Sequence, residues 1–123
     1  MREESEAAED ESDETDLYIL DKANEPVPVP QSDLLRWGQW LETALRSGRR
    51  VVGDSDVEDF HVTTVFSGCD HNWEDGPPIL FESKVTEGGE RRDIYTRRYL
   101  SWAEAEEGHT AVCEQMRELA AKR

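Results

Sequence analysis

The residues of this chain that could do chemistry gather in one loop. Cys69-Asp70-His71-Asn72-Trp73-Glu74 lies between two β-type runs, 62–66 and 79–82, and a connection of that length between strands carries function more often than it merely joins them. An imidazole beside carboxylates is the composition of general acid–base catalysis, so His71, with Asp70 and Glu82 as orienting acids, makes a candidate small metal-dependent hydrolase. No serine or cysteine sits in a nucleophile elbow, and no glycine-rich phosphate loop precedes a helix. Asp70 and Asn72 read equally well as turn formers, with His71 bracing the loop. A third reading, distinct from both, takes Asp70, His71, Asn72 and Trp73 as a ligand-binding surface.

A second constellation has the composition of a zinc site. Cys69 and His71 lie in the loop, and His109 and Cys113, four residues apart, share one helical face. The Cys69-x-His71 spacing is tighter than usual for a zinc pair. His109 also falls on the apolar stripe of its helix, where packing is the ordinary role, and Cys113 reads as a small buried residue. The sequence predicts no cofactor.

A third constellation is basic. Arg91, Arg92, Arg97 and Arg98 surround Tyr95 and Tyr99, and Arg49 and Arg50 add a second pair. Strand alternation places Tyr95, Arg97 and Tyr99 on one face, where guanidinium and rings can hold an anion and stack a base. The plain alternative is surface pairing of these arginines with Glu82, Asp93 and neighbouring acids.

The elements that must position these groups follow from periodicity. Residues 17–20 read as a short strand, and 25–30, with three prolines, as extended chain. Ser32 caps an amphipathic helix carrying Leu34, Leu35, Trp37, Trp40, Leu41, Ala44 and Leu45 and ending near Gly48. Residues 49–52 open a strand, 53–56 read as a turn, and 60–66 alternate as a half-buried strand. A strand over 79–85 returns through a two-residue Gly88-Gly89 turn into 91–100, which pairs Val85 with Arg92, Lys84 with Asp93 and Phe81 with Thr96. Ser101 and Glu104 form a capping box for a last helix with the stripe Trp102, Ala105, His109, Val112, Met116 and Leu119. The fold class is therefore α+β: an antiparallel sheet of about four strands with two amphipathic helices packed on it.

Of 123 residues, 29 are acidic and 14 basic, for a net charge of −15. Residues 1–16 hold nine carboxylates against Arg2 alone and no large apolar side chain after Met1, which predicts a disordered acidic tail ahead of a single α+β domain over 17–123. The acid excess and the ratio of eleven Arg to three Lys point to a salt-adapted host or a GC-rich genome. Two cysteines are too few for a disulfide framework. No apolar window is long enough for a bilayer, so the expected localisation is the cytoplasm of the host cell. Net repulsion disfavours duplex DNA as a partner.

The patterns Asp33-Leu34-Leu35-x-Trp37-x-x-Trp40, Val62-x-Thr64-Val65-Phe66-x-Gly68-x-Asp70-His71 and Gly76-Pro77-Pro78-x-Leu80-Phe81-Glu82, with Tyr18-Ile19-Leu20, Trp102 and Gly108-His109, carry a resemblance. Over about residues 18–112 the chain resembles a family of small uncharacterised proteins encoded by tailed phages, prophages and their bacterial or archaeal hosts. The family lacks cysteines at the positions of Cys69 and Cys113. The resemblance implies an accessory protein of a phage or mobile element. The leading expectation is non-enzymatic binding of a host or viral protein or a small anionic, nucleotide-like ligand, with homo-oligomerisation through an exposed strand edge as an available route. A virion-associated structural protein is a third class, which would place the chain in the particle.

Overall fold

Alternating polar and apolar residues build most of this molecule. The computed structural model describes residues 16–72 and 74–123; the predicted acidic tail therefore lies, up to residue 15, outside the described residues, as does Trp73. Strands β1 (Leu17–Leu20) and β2 (Pro26–Val29) form an antiparallel hairpin in which Leu17 faces Val29 and Tyr18 faces Pro28. The outer side of β1 bridges to the loop at Cys69, while β2 pairs with no second strand among the described residues, which lets it carry two prolines without losing a ladder bond it needs. The Asp21 carboxylate accepts from the N–H groups of Ala23 and Glu25, and Asn24 takes a positive φ of 63°, which together close the turn.

After a single 3₁₀ turn over Gln31–Asp33, helix α1 (Leu34–Ser47) begins at Asp33 rather than at the predicted cap Ser32. The 3₁₀ turn, closed by Asp33 N–H donating to the Pro30 carbonyl, displaces the start. Gly48 ends the helix at φ 76°, its N–H returning to the Ala44 carbonyl. Helix α1 buries Ala44 and rests mainly on the β1–β2 hairpin, reaching the larger sheet where Trp40 meets Phe66 edge-on at 5.8 Å.

The main sheet is a four-stranded antiparallel meander of β3 (Val51–Val57), β4 (Phe60–Phe66), β5 (Phe81–Glu87) and β6 (Tyr95–Tyr99). The predicted α+β class holds, with two local differences. Residues 53–56, read as a turn, belong to β3: Asp54 and Asp56 face outward beside His61, while Gly53 and Ser55 face inward, and a bulge lies between Val51 and Gly53. The chain reverses later, at Glu58, which takes φ 55°.

The β5–β6 register also differs from the expected one. Gly88 and Gly89, at φ 63° and 79°, form a turn closed by Glu90 N–H and the Glu87 carbonyl, but residues 90–93 stay outside the ladder. Pairing sets Val85 opposite Tyr95, Ser83 opposite Arg97 and Phe81 opposite Tyr99. That three-residue slip, an odd number, turns Tyr99 inward onto Phe81, and burying its ring outweighs a tighter turn. Lys84 keeps Asp93 only as a loose 3.8 Å pair.

Helix α2 (Trp102–Ala121) lies across the inner face of this sheet. The Glu104 N–H donates to the Ser101 hydroxyl, and the Glu104 carboxylate accepts from the Leu100 N–H, so both partners of the predicted capping box act at this end. Between helix and sheet, Phe60, Val62, Val85 and Val112 form one part of the core, and Phe66, Leu80, Phe81 and Ala105 another. At the far end Arg123 pairs with Glu87 and covers the Phe60 ring at 4.8 Å.

Two glycines in helices set opposite expectations. A Cβ on Gly108 would lie 2.0 Å from Cε1 of Tyr99, whereas one on Gly38 in α1 would meet nothing within 4 Å. Gly108→Ala should lower unfolding free energy by about 1–3 kcal/mol through overpacking. Gly38→Ala should raise it by up to about 1 kcal/mol through helix propensity. Chemical denaturation of both variants checks the pair.

Candidate functional site

Polar side chains at inward positions of the sheet meet in one continuous chain of hydrogen bonds. His109 on α2 points into the sheet: its Nε2 lies 2.9 Å from the Ser55 hydroxyl on β3, and its Nδ1 lies 2.7 Å from the Thr64 hydroxyl on β4. Thr64 shares a 2.5 Å hydrogen bond with Ser83 on β5, and Ser83 shares one of 2.8 Å with the Tyr99 hydroxyl on β6. Every strand of the meander supplies one hydroxyl, and the helix supplies the imidazole. Thr64 and Ser83 are fully buried, where an unpaired hydroxyl would be costly, so each satisfies the next.

This close approach needs missing side chains. A Cβ on Gly53 would come within 2.7 Å of the His109 ring, and Gly108 makes the corresponding room for Tyr99. Burial holds His109 below the ordinary imidazole range, with the Asp54 charge partly opposing it. Burial likewise pushes the Tyr99 phenol up, against the Ser83 hydrogen bond and the Arg97 charge.

Arg97 stands beside the end of this chain. Its guanidinium lies over the Tyr99 ring, 5.5 Å from the centroid. Among the described residues Arg97 makes no ion pair, whereas Arg98 points to the other face of β6 and lies 3.5 Å from Glu82. Arg97 and Tyr99 form the strand wall of a cleft of about 430 Å³ whose helix wall is Glu104, Glu107, Gly108 and Ala111. Tyr95, on the same face of β6, is partly exposed farther along the strand. The structure thus places Tyr95, Arg97 and Tyr99 on one face.

The predicted loop is organised differently. The Asp70 carboxylate accepts from the N–H groups of Asn72 and Ile79, and Asn72 uses its own amide on Glu74 N–H and the Pro77 carbonyl. Backbone bonds tie the loop to its surroundings: Asp70 N–H to the Asp16 carbonyl, His71 N–H to the Ile79 carbonyl, Tyr18 N–H to the Gly68 carbonyl. The Gly68 carbonyl also accepts from the Trp37 indole at 3.1 Å. Asp70 and Asn72 therefore spend their polar groups on the loop itself. The half-exposed His71 ring has no hydrogen bond or ion pair among the described residues, including none to Glu82. Glu82 lies on the outer face, only 7% exposed, between Lys84 and Arg98.

Cys69, His71, His109 and Cys113 are not brought together. His109 gives both ring nitrogens to hydroxyls, and Cys113 packs in the core with Val57 and Met116. Among the described residues no group of three or more potential ligands converges. A wider crevice of about 660 Å³ opens between Trp40 and Trp102, but Arg49 in it is committed to the Asn24 side chain and the Asp21 carbonyl.

No protein-family model matches the chain, and no curated protein or solved structure does.

Three residues of the network escaped sequence reasoning. Ser55, Thr64 and Ser83 occupy inward positions of period-two strands, where a polar residue signals a buried partner. The outward face held a second surprise: His61 on β4 is clamped at Nε2 by Asp54 at 2.8 Å and at Nδ1 by Asp56 at 2.7 Å, which raises its pKa, chiefly through the Asp56 hydrogen bond.

The two histidines make opposite contributions to stability. His61, raised in the folded state, contributes most below its unfolded value of about 6.5 and loses that contribution as pH rises through the folded value. His109, depressed, contributes above about 6.5 and loses it as pH falls. On acidification through the neutral range, the stability gap between wild type and His61→Asn should widen, and that between wild type and His109→Gln should narrow, in urea titrations at stepped pH. Thr64→Val, which strands His109 and Ser83, should cost about 1–3 kcal/mol at any of these pH values.

Proposed function

We propose that this protein is a non-enzymatic binding module that holds a singly charged anionic group of its target against Arg97 and Tyr99, in the cleft between β6 and α2. One observation carries the reading: Arg97 is stacked on a buried, hydrogen-bonded tyrosine and has no carboxylate partner among the described residues, although carboxylates far outnumber basic groups in the chain. Pre-ordering a guanidinium on a ring reduces the entropy lost on ligand capture.

The charge of the cleft supports a modest anion over a polyphosphate. Arg97 faces Glu104 and Glu107 across the cleft, and Arg98, at its rim, is spent on Glu82, so no net positive field surrounds the site. A single carboxylate fits this setting better than a nucleoside triphosphate or a nucleic-acid backbone. The committed polar groups of Asp70 and Asn72 support a scaffolding role for the loop, with His71 and the loop surface available to a protein partner. The resemblance to phage and prophage proteins supports an accessory role on a host or viral protein, and the acid excess supports a salt-rich host cytoplasm. No helix among the described residues is long and apolar enough to cross a membrane.

Titration with N-acetyl-aspartate-amide and with inorganic phosphate, followed by amide and guanidinium NMR shifts, tests this reading. Shifts should appear at Arg97, Tyr99 and Gly108 and vanish in Arg97→Gln. Shifts confined to residues 69–78, or unchanged in Arg97→Gln, would overturn it.

A further inference from the structure

The cleft runs along a free strand edge. β6 pairs with β5 on one side and with no strand on the other among the described residues, and four of its five residues are exposed. The first half of α2 lies alongside: Ala111 and Glu107 line the cleft, and Gly108 is covered by the Tyr99 ring. A free edge flanked by this helix is a slot shaped for one more strand. Main-chain hydrogen bonds from β6 supply affinity, and alternate side chains of the incoming strand enter the cleft.

We infer that the occupant of this slot is an extended peptide segment of a partner protein, added to β6 as a fifth strand and placing a carboxylate side chain against Arg97. This rests on the anion site proposed above and names the molecule that carries the anion. Three observations favour it over other occupants. Antiparallel pairing of two β6 edges would set the arginines of one copy against those of the other, so the edge rejects its own copy and accepts an acidic strand. The opposite edge of the sheet, β3, is acidic, but its Asp54 and Asp56 are held by His61, which disfavours a head-to-tail stack of copies. The unpaired Arg97 and the acidic helix wall together suit one carboxylate at Arg97 with a peptide N–H or hydroxyl donating to Glu107.

The test uses the full chain and a short synthetic peptide in which Glu alternates with Val, with two further versions N-methylated in the two alternating phases. Strand addition predicts that the peptide binds, that Arg97→Gln weakens binding by about tenfold or more, and that β6 amides gain protection from hydrogen exchange. It also predicts that one methylation phase abolishes binding while the other leaves it intact, because alternate N–H groups face the edge and solvent. Arg97-dependent binding that both methylated versions retain would overturn strand addition and leave the anion site standing. Binding of phosphate or N-acetyl-aspartate-amide at Arg97 without binding of the peptide would do the same. Failure of all three ligands would overturn both. Protection of β6 that grows with protein concentration in the absence of peptide would identify a second copy as the occupant and overturn the proposal.

Discussion

A buried hydroxyl that loses water must find another partner, and in this protein that requirement ties the sheet to its helix. Ser55, Thr64, Ser83 and Tyr99 stand one per strand across the meander, and His109 closes the line from above. A slip of any strand by one residue would turn its hydroxyl to the outer face and leave its neighbours unsatisfied. Apolar packing around Phe60, Val62, Val85 and Val112 and around Phe66, Leu80 and Phe81 provides the bulk of the core, but apolar groups tolerate small shifts that hydrogen bonds do not. The network therefore selects the register, and the register determines where Arg97 and Tyr99 stand.

The same constraint explains the positions of the glycines. Gly53 sits in a strand and Gly108 in a helix, both places where glycine weakens the element locally. Each is the contact point at which sheet and helix draw together closely enough for the imidazole and the phenol to reach their partners. Weakening of local structure is offset by satisfied polar groups beneath it.

How much of this was legible in the sequence depended on the range of the interaction. Local signals were read well: the β1 strand, the prolines of β2, the Gly48 stop, the Ser101–Glu104 cap and the alternation of β4 are all set by near neighbours. The turn assigned to Gly53-Asp54-Ser55-Asp56 failed because its residue types favour turns, while their tertiary partners, His61 on one face and His109 on the other, lie far along the chain. The β5–β6 register failed for a similar reason: the two glycines do turn, but burial of Tyr99 on Phe81 decides the pairing. For the candidate site, the face shared by Tyr95, Arg97 and Tyr99 followed from period two alone. The cleft did not, since it exists only where α2 lies against β6. In the loop, the turn-forming role of Asp70 and Asn72 was foreseeable from residue type, but the tie of Gly68 to Trp37 was not.

The line of hydroxyls also has a direction. With the hydrogens of the buried Thr64 and Ser83 hydroxyls used inside the chain, neutral His109 allows two orders. In one, Tyr99 donates to Ser83, Ser83 to Thr64 and Thr64 to Nδ1, while Nε2–H donates to Ser55; in the other every donor is reversed, and the Tyr99 hydrogen is released to face elsewhere. The imidazole tautomer and the hydrogen-bonding state of a phenol three hydrogen bonds away are thus two readings of one variable. A nitrogen-15 spectrum of a single histidine side chain would report, from beneath the helix, whether the tyrosine at the binding cleft is offering a proton or withholding it.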